Sequence, residues 1–302
     1  MDGIINLNKP AGITSYGAIR SLKKICQEKK MGHLGTLDPM ATGVLPIFVG
    51  KMTKLIPYFN DGNKGYIAEL TLGASSTTLD KEGELTECLI PTDITKEQVV
   101  AELEGFLGDI EQIPPMYSAI RQDGKRLYEL ARAGEEVERK PRKVHIFEIT
   151  NIEVNLPVIK FEVICSKGTY IRTLAADLGE RLGTAAYLSN LTRHLVGSRF
   201  HLDDAQSLDQ LENLNHSDLL NVCMDPAKLL SDWNHWPSPS AVEAEALSHG
   251  NKLSLDPERI EDLNREEPRC FVTTKNNKIL CVGTLEFSQE LPIFYQPSKV
   301  LI

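Results

Sequence analysis

The sequence predicts an α+β protein with a smaller β unit at its C-terminal end. Three observations carry this. Strand-like and helix-like segments are intermixed without the strict alternation of a doubly wound parallel sheet. Two amphipathic segments with good capping residues sit among alternating apolar runs. About 60 C-terminal residues read as short strands, and a polar, proline-containing stretch (SDWNHWPSPS, 231–240) precedes them as the candidate linker.

The elements follow in order. GIINLNKP reads as a short strand, ended by Pro10 and Gly12. Thr14 or Ser15 can cap a helix over roughly 15–27, because a hydroxyl accepts from the free amides of the first turn. Ile19, Leu22 and Ile25 recur near helical spacing. The Gly- and Pro-dense stretch from Met31 is a loop feeding the apolar run VLPIFVG. The alternation in KGYIAELTL predicts another strand. Residues 95–110 read as an amphipathic helix capped by Thr95. From Lys143 the pattern is strand, strand, then a helix opening at Tyr170 or Ile171.

Composition narrows the class. The chain has 302 residues, 41% hydrophobic and 25% charged, which suits a globular protein with a full core. No apolar run approaches the ~20 residues of a membrane span. The start has no basic-then-apolar signal segment, so a cytoplasmic protein is expected. Six scattered cysteines without a CxxC pair are expected as free thiols, with no zinc site. The net charge of −9 excludes a uniformly basic surface but not a local one. Residues 1–60 hold eight Lys/Arg against three Asp/Glu, and residues 121–143 hold eight against five.

Asp38 is the most unusual acidic residue. It stands between Gly35 and Gly43 with Pro39 directly behind it, which biases Asp38 away from helical backbone and presents one carboxylate on a tight loop. Taken singly, an Asp-Pro pair is an ordinary turn. Arg172 and Tyr170 lie at a strand-to-helix transition, where an Arg can pair with a carboxylate in a cleft. Tyr66 opens a strand. The seven histidines have no HxH or HExxH spacing, and neither a phosphate-cradling glycine loop nor Gly-x-Ser-x-Gly occurs. What remains is a site without metal or cofactor, built on one carboxylate, one Arg and aromatic rings.

Together these pieces resemble the TruB type of RNA pseudouridine synthases. Residues 9–15 (KPAGITS) resemble the family's KPxGxTS motif, and 35–43 (GTLDPMATG) its GxLDPxATG loop. Lys64-Gly65-Tyr66 resembles K-x-Y, residues 112–119 (QIPPMYSA) resemble QxPPxYSA, and 167–172 match KGTYIR. Leu191-Thr192-Arg193 fits a late LxR element. The resemblance covers about residues 1–205.

The resemblance implies a pseudouridine synthase fold: a mixed, largely antiparallel sheet with a central cleft, over residues 1–235. Residues 241–302 are similar to a small PUA-type RNA-binding β-barrel, although their charge balance is acidic. The implied activity is isomerisation of a uridine in the tRNA T loop (position 55), with base flipping and an accessory tRNA-folding role. Asp38 is then the nucleophile or base at the sugar, and Arg172 its ion-pair partner, holding it ionised. Tyr66 stacks on the target base and Tyr170 lines the pocket. His33 contacts the RNA and fills the vacated space. Asp80 lies near the cleft, and Lys9 supports the loop or the cleft wall. Arg121, Lys125 and Arg126 belong to an RNA-gripping insertion at about 121–143. The expected partner is the T arm of tRNA; no membrane and no obligate protein partner are expected, and a monomer suffices. Three rival readings are a non-catalytic RNA-binding protein, a glycoside hydrolase, which needs two carboxylates across the scissile bond, and a small-molecule enzyme with a β appendage.

Overall fold

The computed structural model describes residues 1–59, 62–118, 120–122, 124–287 and 293–301, without the side chain of Arg126. The buried first strand, β1 (Gly3–Lys9), leads to α1 (Ser15–Ile25), whose cap Thr14 accepts from the Gly17 amide at 2.9 Å. Ala18, Ile19 and Leu22 of α1 are buried, while Tyr16, Arg20 and Lys24 are exposed. β2 (Met31–His33) and β3 (Thr42–Val49) follow, joined by the loop 34–41. Next come β4 (Lys64–Leu72) and the short hairpin β5 (Ala74–Ser76) and β6 (Leu85–Glu87).

Thr95 caps α2 (Lys96–Glu104), which is shorter than the helix expected over 95–110. Gly105 ends it, and Gly108, at φ +89°, turns the chain into β7 (Gly108–Gln112). Two glycines three residues apart outweigh the helical spacing of the flanking apolar residues. The basic insertion forms β8 (Arg121–Gln122), β9 (Lys125–Arg126) and α3 (Leu127–Arg132). β10 (Arg142–Asn155), β11 (Val158–Cys165), α4 (Ile171–Arg181) and β12 (Ala186–Val196) complete the central region. Short elements follow: β13 (Phe200–His201), β14 (Gln206–Ser207), α5 (Leu208–Glu212), α6 (His216–Asn221) and α7 (Pro226–Leu229). The chain ends with β15 (Asn234–Pro237), α8 (Ala241–Ser248), β16 (Leu253–Leu255), β17 (Arg269–Thr273), β18 (Ile279–Glu286) and β19 (Ile293–Val300).

Among the described residues the main sheet has ten strands in the order β14-β1-β3-β12-β4-β11-β10-β7, with β2 also on β3 and β13 on β12. The β1–β14 and β3–β12 pairs are parallel and the others antiparallel, so the sheet is mixed and largely antiparallel. One rung of this sheet positions the site: Arg193 on β12 lies opposite Gly43 on β3 and opposite Tyr66 on β4. Gly43 sits at φ +100°, and a Cβ there would stand 2.2 Å from the Arg193 carbonyl. Only glycine allows this approach.

A second sheet, β15-β17-β18-β19-β16, carries α8 and its own apolar cluster around Trp236, Val272 and Tyr295. Another cluster joins the two sheets, with Ile4, Phe48 and Phe200 on one side and Phe271, Ile279 and Val282 on the other. Fully burying each such side chain contributes about 1.5–3 kcal/mol, so this contact is a substantial one. The stretch 231–240 is not the polar break that its prolines suggest. Trp233 and Trp236 are buried, and β15 pairs in parallel with β17. Among the described residues no helix is long and apolar enough to cross a membrane.

Candidate active site

The loop 34–41 hangs between β2 and β3 and is pinned from four sides. The Ser15 hydroxyl donates to the Leu37 carbonyl (3.0 Å) and accepts from its amide (2.8 Å). The Gly12 amide donates to the Pro39 carbonyl at 2.9 Å. Lys9 is fully buried, and its Nζ donates to the carbonyls of Pro10 (2.8 Å), Ile13 (2.8 Å) and Pro39 (3.2 Å). Arg193, also fully buried, donates from Nε to Val44 O (2.8 Å), from Nη1 to Thr36 O (3.3 Å) and from Nη2 to Gly35 O (3.0 Å). An ammonium has three donors and a guanidinium five, so Lys9 ties the loop to the 10–13 turn and Arg193 ties it to β3.

This loop carries Asp38 to the wall of a cleft of about 690 Å³. Arg172, the second residue of α4, meets it there. Nε stands 3.0 Å from Asp38 Oδ2, and Nη2 donates to Asp38 Oδ1 at 3.2 Å, a two-pronged pair. Arg172 itself is buried. Nη2 also donates to the Tyr117 carbonyl (2.8 Å) and Nη1 to the Thr78 carbonyl (3.1 Å). Nη1 further lies 3.5 Å from Oδ2 of Asp80. Asp80 is buried and committed: its Oδ1 accepts from the Thr78 hydroxyl (2.5 Å) and the Glu82 amide (3.0 Å). The start of α4 is set by Gln112, whose side chain accepts from the Tyr170 amide (3.0 Å) and donates to the Tyr170 carbonyl (3.3 Å).

The cleft wall includes Asp38, Tyr66, Arg172, Tyr170, Asp80 and His33, so six sequence-expected residues converge on one space. Lys9 is not among the lining residues; burial under Pro10, Ile13 and Pro39 keeps it from any direct contact with a ligand. Arg121 and Lys125 are exposed on the insertion, outside the lining, and the Arg126 side chain lies outside the described residues.

Electrostatics modify one expectation. Burial pushes the Asp38 carboxyl above its ordinary range; Arg172 opposes this, while the charge of Asp80 adds to it. The guanidinium therefore limits the rise and does not bring the group below the usual value. About a third of the Asp38 side chain still faces the open cleft. Burial likewise pushes the Tyr66 phenol up to about 12, against the nearby charge of Arg193. Burial, with Arg193 adding to it, lowers His33, so its imidazole is neutral at neutral pH. Lys64 is lowered to about 8, first by burial and then by Arg193.

Several lining residues had no assigned role at the sequence level. Lys64 faces the cleft because it stands two residues before Tyr66 on β4, and alternate strand residues share a face. Tyr117 comes from the stretch before the insertion; Tyr128 and Arg132, from α3, show the four-residue spacing of one helix face. Tyr16 enters from the first turn of α1. Five of the chain's eight tyrosines line this cleft: 16, 66, 117, 128 and 170. Such walls offer flat rings and a few charged groups, which suits a planar base. Among the described residues no group of three or more His, Cys, Asp or Glu is placed to hold a metal ion.

Comparison with known proteins places this geometry. Residues 23–171 match the model of the TruB family pseudouridylate synthase (N terminal domain). The tRNA pseudouridine synthase B of Syntrophomonas wolfei is 50% identical over 310 residues, covering 99% of this chain and 98% of the relative. That of Clostridium acetobutylicum is 44% identical over 254 residues, covering 84% and 86%. Among solved structures, a crystal structure of a Cbf5-Nop10-Gar1 complex aligns at a TM-score of 0.71 and 23% identity, covering 99% of this chain and 85% of that one. At that identity the likeness concerns the fold, which agrees with the mixed α+β architecture around a large sheet. With a relative half identical over nearly the whole of both chains, and with the family's loop holding Asp38 against Arg172, the chain belongs to the TruB family of pseudouridylate synthases.

Proposed function

We propose that this chain converts a uridine in the T loop of tRNA, position 55, to pseudouridine. The observation that carries the reading is the two-pronged Arg172–Asp38 pair in a cleft walled by five tyrosines. The names of the relatives support the tRNA substrate.

The reaction breaks the bond between uracil N1 and the sugar C1′ and forms one from C5 to C1′. The C5 proton leaves and N1 gains one, so the change is an isomerisation. Asp38 acts at the sugar, as nucleophile or base. It must be ionised for either role, and Arg172 opposes the upward push of burial. Tyr66, buried and kept neutral by its raised pKa, packs against the flipped base. Tyr170 lines the same pocket. Neutral His33 at the mouth fills the space that the base leaves in the RNA. Asp80 fixes the free edge of the Arg172 guanidinium, and Lys9 and Arg193 hold the loop. Flipping costs a few kcal/mol, offset by stacking in the pocket.

In this reading residues 1–235 form the catalytic unit, and the insertion at 121–143, with Arg121, Lys125 and Arg126, grips the RNA backbone. Residues 241–302, which with β15 make up the second sheet and its surroundings, act as a PUA-type RNA-binding unit. The enzyme works in the cytoplasm as a monomer, without a cofactor. The test is pseudouridine formation in a T-arm stem-loop transcript, wild type beside Asp38→Asn, with RNA binding measured on both. The wild type converts the T-loop uridine; the variant binds within a few-fold but converts at least about a thousandfold more slowly. Binding by both with conversion by neither would hand the chain to the non-catalytic reading. Release of free uracil would point to hydrolysis.

A further inference from the structure

Apart from buried Lys9, the basic residues of the first 60 play no part in the chemistry above, and the structure places three of them on one helix. On α1, Tyr16, Arg20 and Lys24 recur every four residues on the exposed face, with half-buried Lys23 beside them. Tyr16 is 62% exposed and lines the cleft, so the row starts at the cleft mouth. It runs outward for about 12 Å at 1.5 Å per residue. The Arg20 guanidinium stands 5.7 Å from the Tyr16 ring.

The insertion repeats this arrangement. On α3, Tyr128 lines the same cleft, and Arg132, four residues on, stands 5.7 Å from its ring. The cleft mouth therefore has two helical rims, each with a tyrosine and an arginine one turn beyond it. Only the α3 rim has been given a role.

None of Arg20, Lys23 or Lys24 pairs with a carboxylate among the described residues. Glu28, the acid nearest them in sequence, is taken by the amino terminus at 3.1 Å. The helix packed on α1, α5, carries Asp209 and Glu212, and neither forms an ion pair with α1. Three unneutralised cations beside a cleft, in a chain of net charge −9, form a local attraction for a polyanion.

We propose that the exposed face of α1 is a second RNA-backbone site. Arg20, Lys23 and Lys24 take phosphates of the RNA stem whose loop enters the cleft, and Tyr16 packs against the nucleotide at the mouth. This rests on the RNA reading of the cleft. The occupant is RNA because the row is continuous with the cleft and complementary in charge to a phosphate backbone. An aromatic ring beside cations is also the usual surface for stacked bases.

The test uses the full chain and a T-arm stem-loop transcript. In one triple variant Arg20, Lys23 and Lys24 are all replaced by Gln; in a second, Arg20→Lys, Lys23→Arg and Lys24→Arg keep the charges. A control, Lys96→Gln with Lys160→Gln, removes charge at positions that do not line the cleft. Affinity is measured from 50 to 200 mM salt. The Gln triple weakens binding on the order of tenfold or more at low salt and reduces the salt slope by about two to three. The charge-keeping triple and the control bind like wild type.

Equal binding and slope for wild type and the Gln triple would overturn the site, as would equal loss in the control. If the wild type binds with a steep slope that the Gln triple loses, but converts no uridine, the α1 site stands and the catalytic reading falls. If conversion proceeds and the Gln triple binds unchanged, only the α1 site falls.

Discussion

Arg172 holds both carboxylate oxygens of Asp38, at 3.0 and 3.2 Å, while its outer nitrogen lies 3.5 Å from Asp80. One buried guanidinium is thus shared between a carboxylate that is partly open to the cleft and one that is buried in its wall. The carbonyls of Thr78 and Tyr117 complete its surroundings.

Replacing Arg172 with Lys tests the fork. Lys keeps the charge but cannot grip two oxygens and two carbonyls together. Arg172 lowers the Asp38 pKa against the push of burial, so weakening it raises that pKa further. A larger fraction of Asp38 is then protonated at a given pH. The acidic limb of kcat/KM should move to higher pH, and the maximal rate should fall about 10–100-fold.

Asp80→Asn has the opposite sign in one respect. The charge of Asp80 raises the Asp38 pKa, so its removal should move the acidic limb to lower pH. The guanidinium also loses its second anchor, and kcat should drop roughly tenfold even at the pH optimum. A pH–rate profile separates the two effects. A limb that moves upward would contradict the charge relationship.

Lys64 should give RNA binding a basic limb. Its pKa is lowered to about 8, so it is charged below that value and neutral above it. Affinity for a stem-loop RNA should weaken by several-fold as pH rises through about 8. Lys64→Arg stays charged and should remove the limb. Titration of binding between pH 6.5 and 9 on both proteins checks this.

Two glycines should differ sharply. Gly43→Ala places a methyl 2.2 Å from the Arg193 carbonyl in a left-handed backbone at φ +100°. It should lose about 3–5 kcal/mol, or fail to fold, because rigid strand backbone cannot yield. Gly12 has φ +83° but nothing within 4 Å of an added Cβ. Gly12→Ala should lose only about 1–2 kcal/mol, from conformation alone. Urea melts of both give the comparison.

Much of the local structure was legible in the chain. The caps of α1 and α2 follow from Thr14 and Thr95, since hydroxyls at those places answer the free first-turn amides. The strand 64–72 follows from alternation, and two strands before a helix follow from the pattern after Lys143. The motif around Asp38, with Arg172, Tyr66 and Tyr170, marks the ion pair and part of the cleft wall from the sequence alone. Local signals are weaker where tertiary contact overrides them. The polar, proline-containing stretch 231–240 hides two buried tryptophans, Trp236 in the second sheet's own cluster and Trp233 in the cluster that joins the two sheets.

What the sequence by itself determined is which residues carry charge, turn and ring, and in what order. What only the tertiary structure decided is which of them meet. Asp38 and Arg172 are 134 residues apart, and their pairing depends on the sheet order that brings β3, β12 and β4 side by side. The same packing decides how Lys9 braces the loop, because three carbonyls surround its ammonium. It also set the direction of the Asp38 pKa, since burial depends on atoms from the whole fold and not on neighbours along the chain.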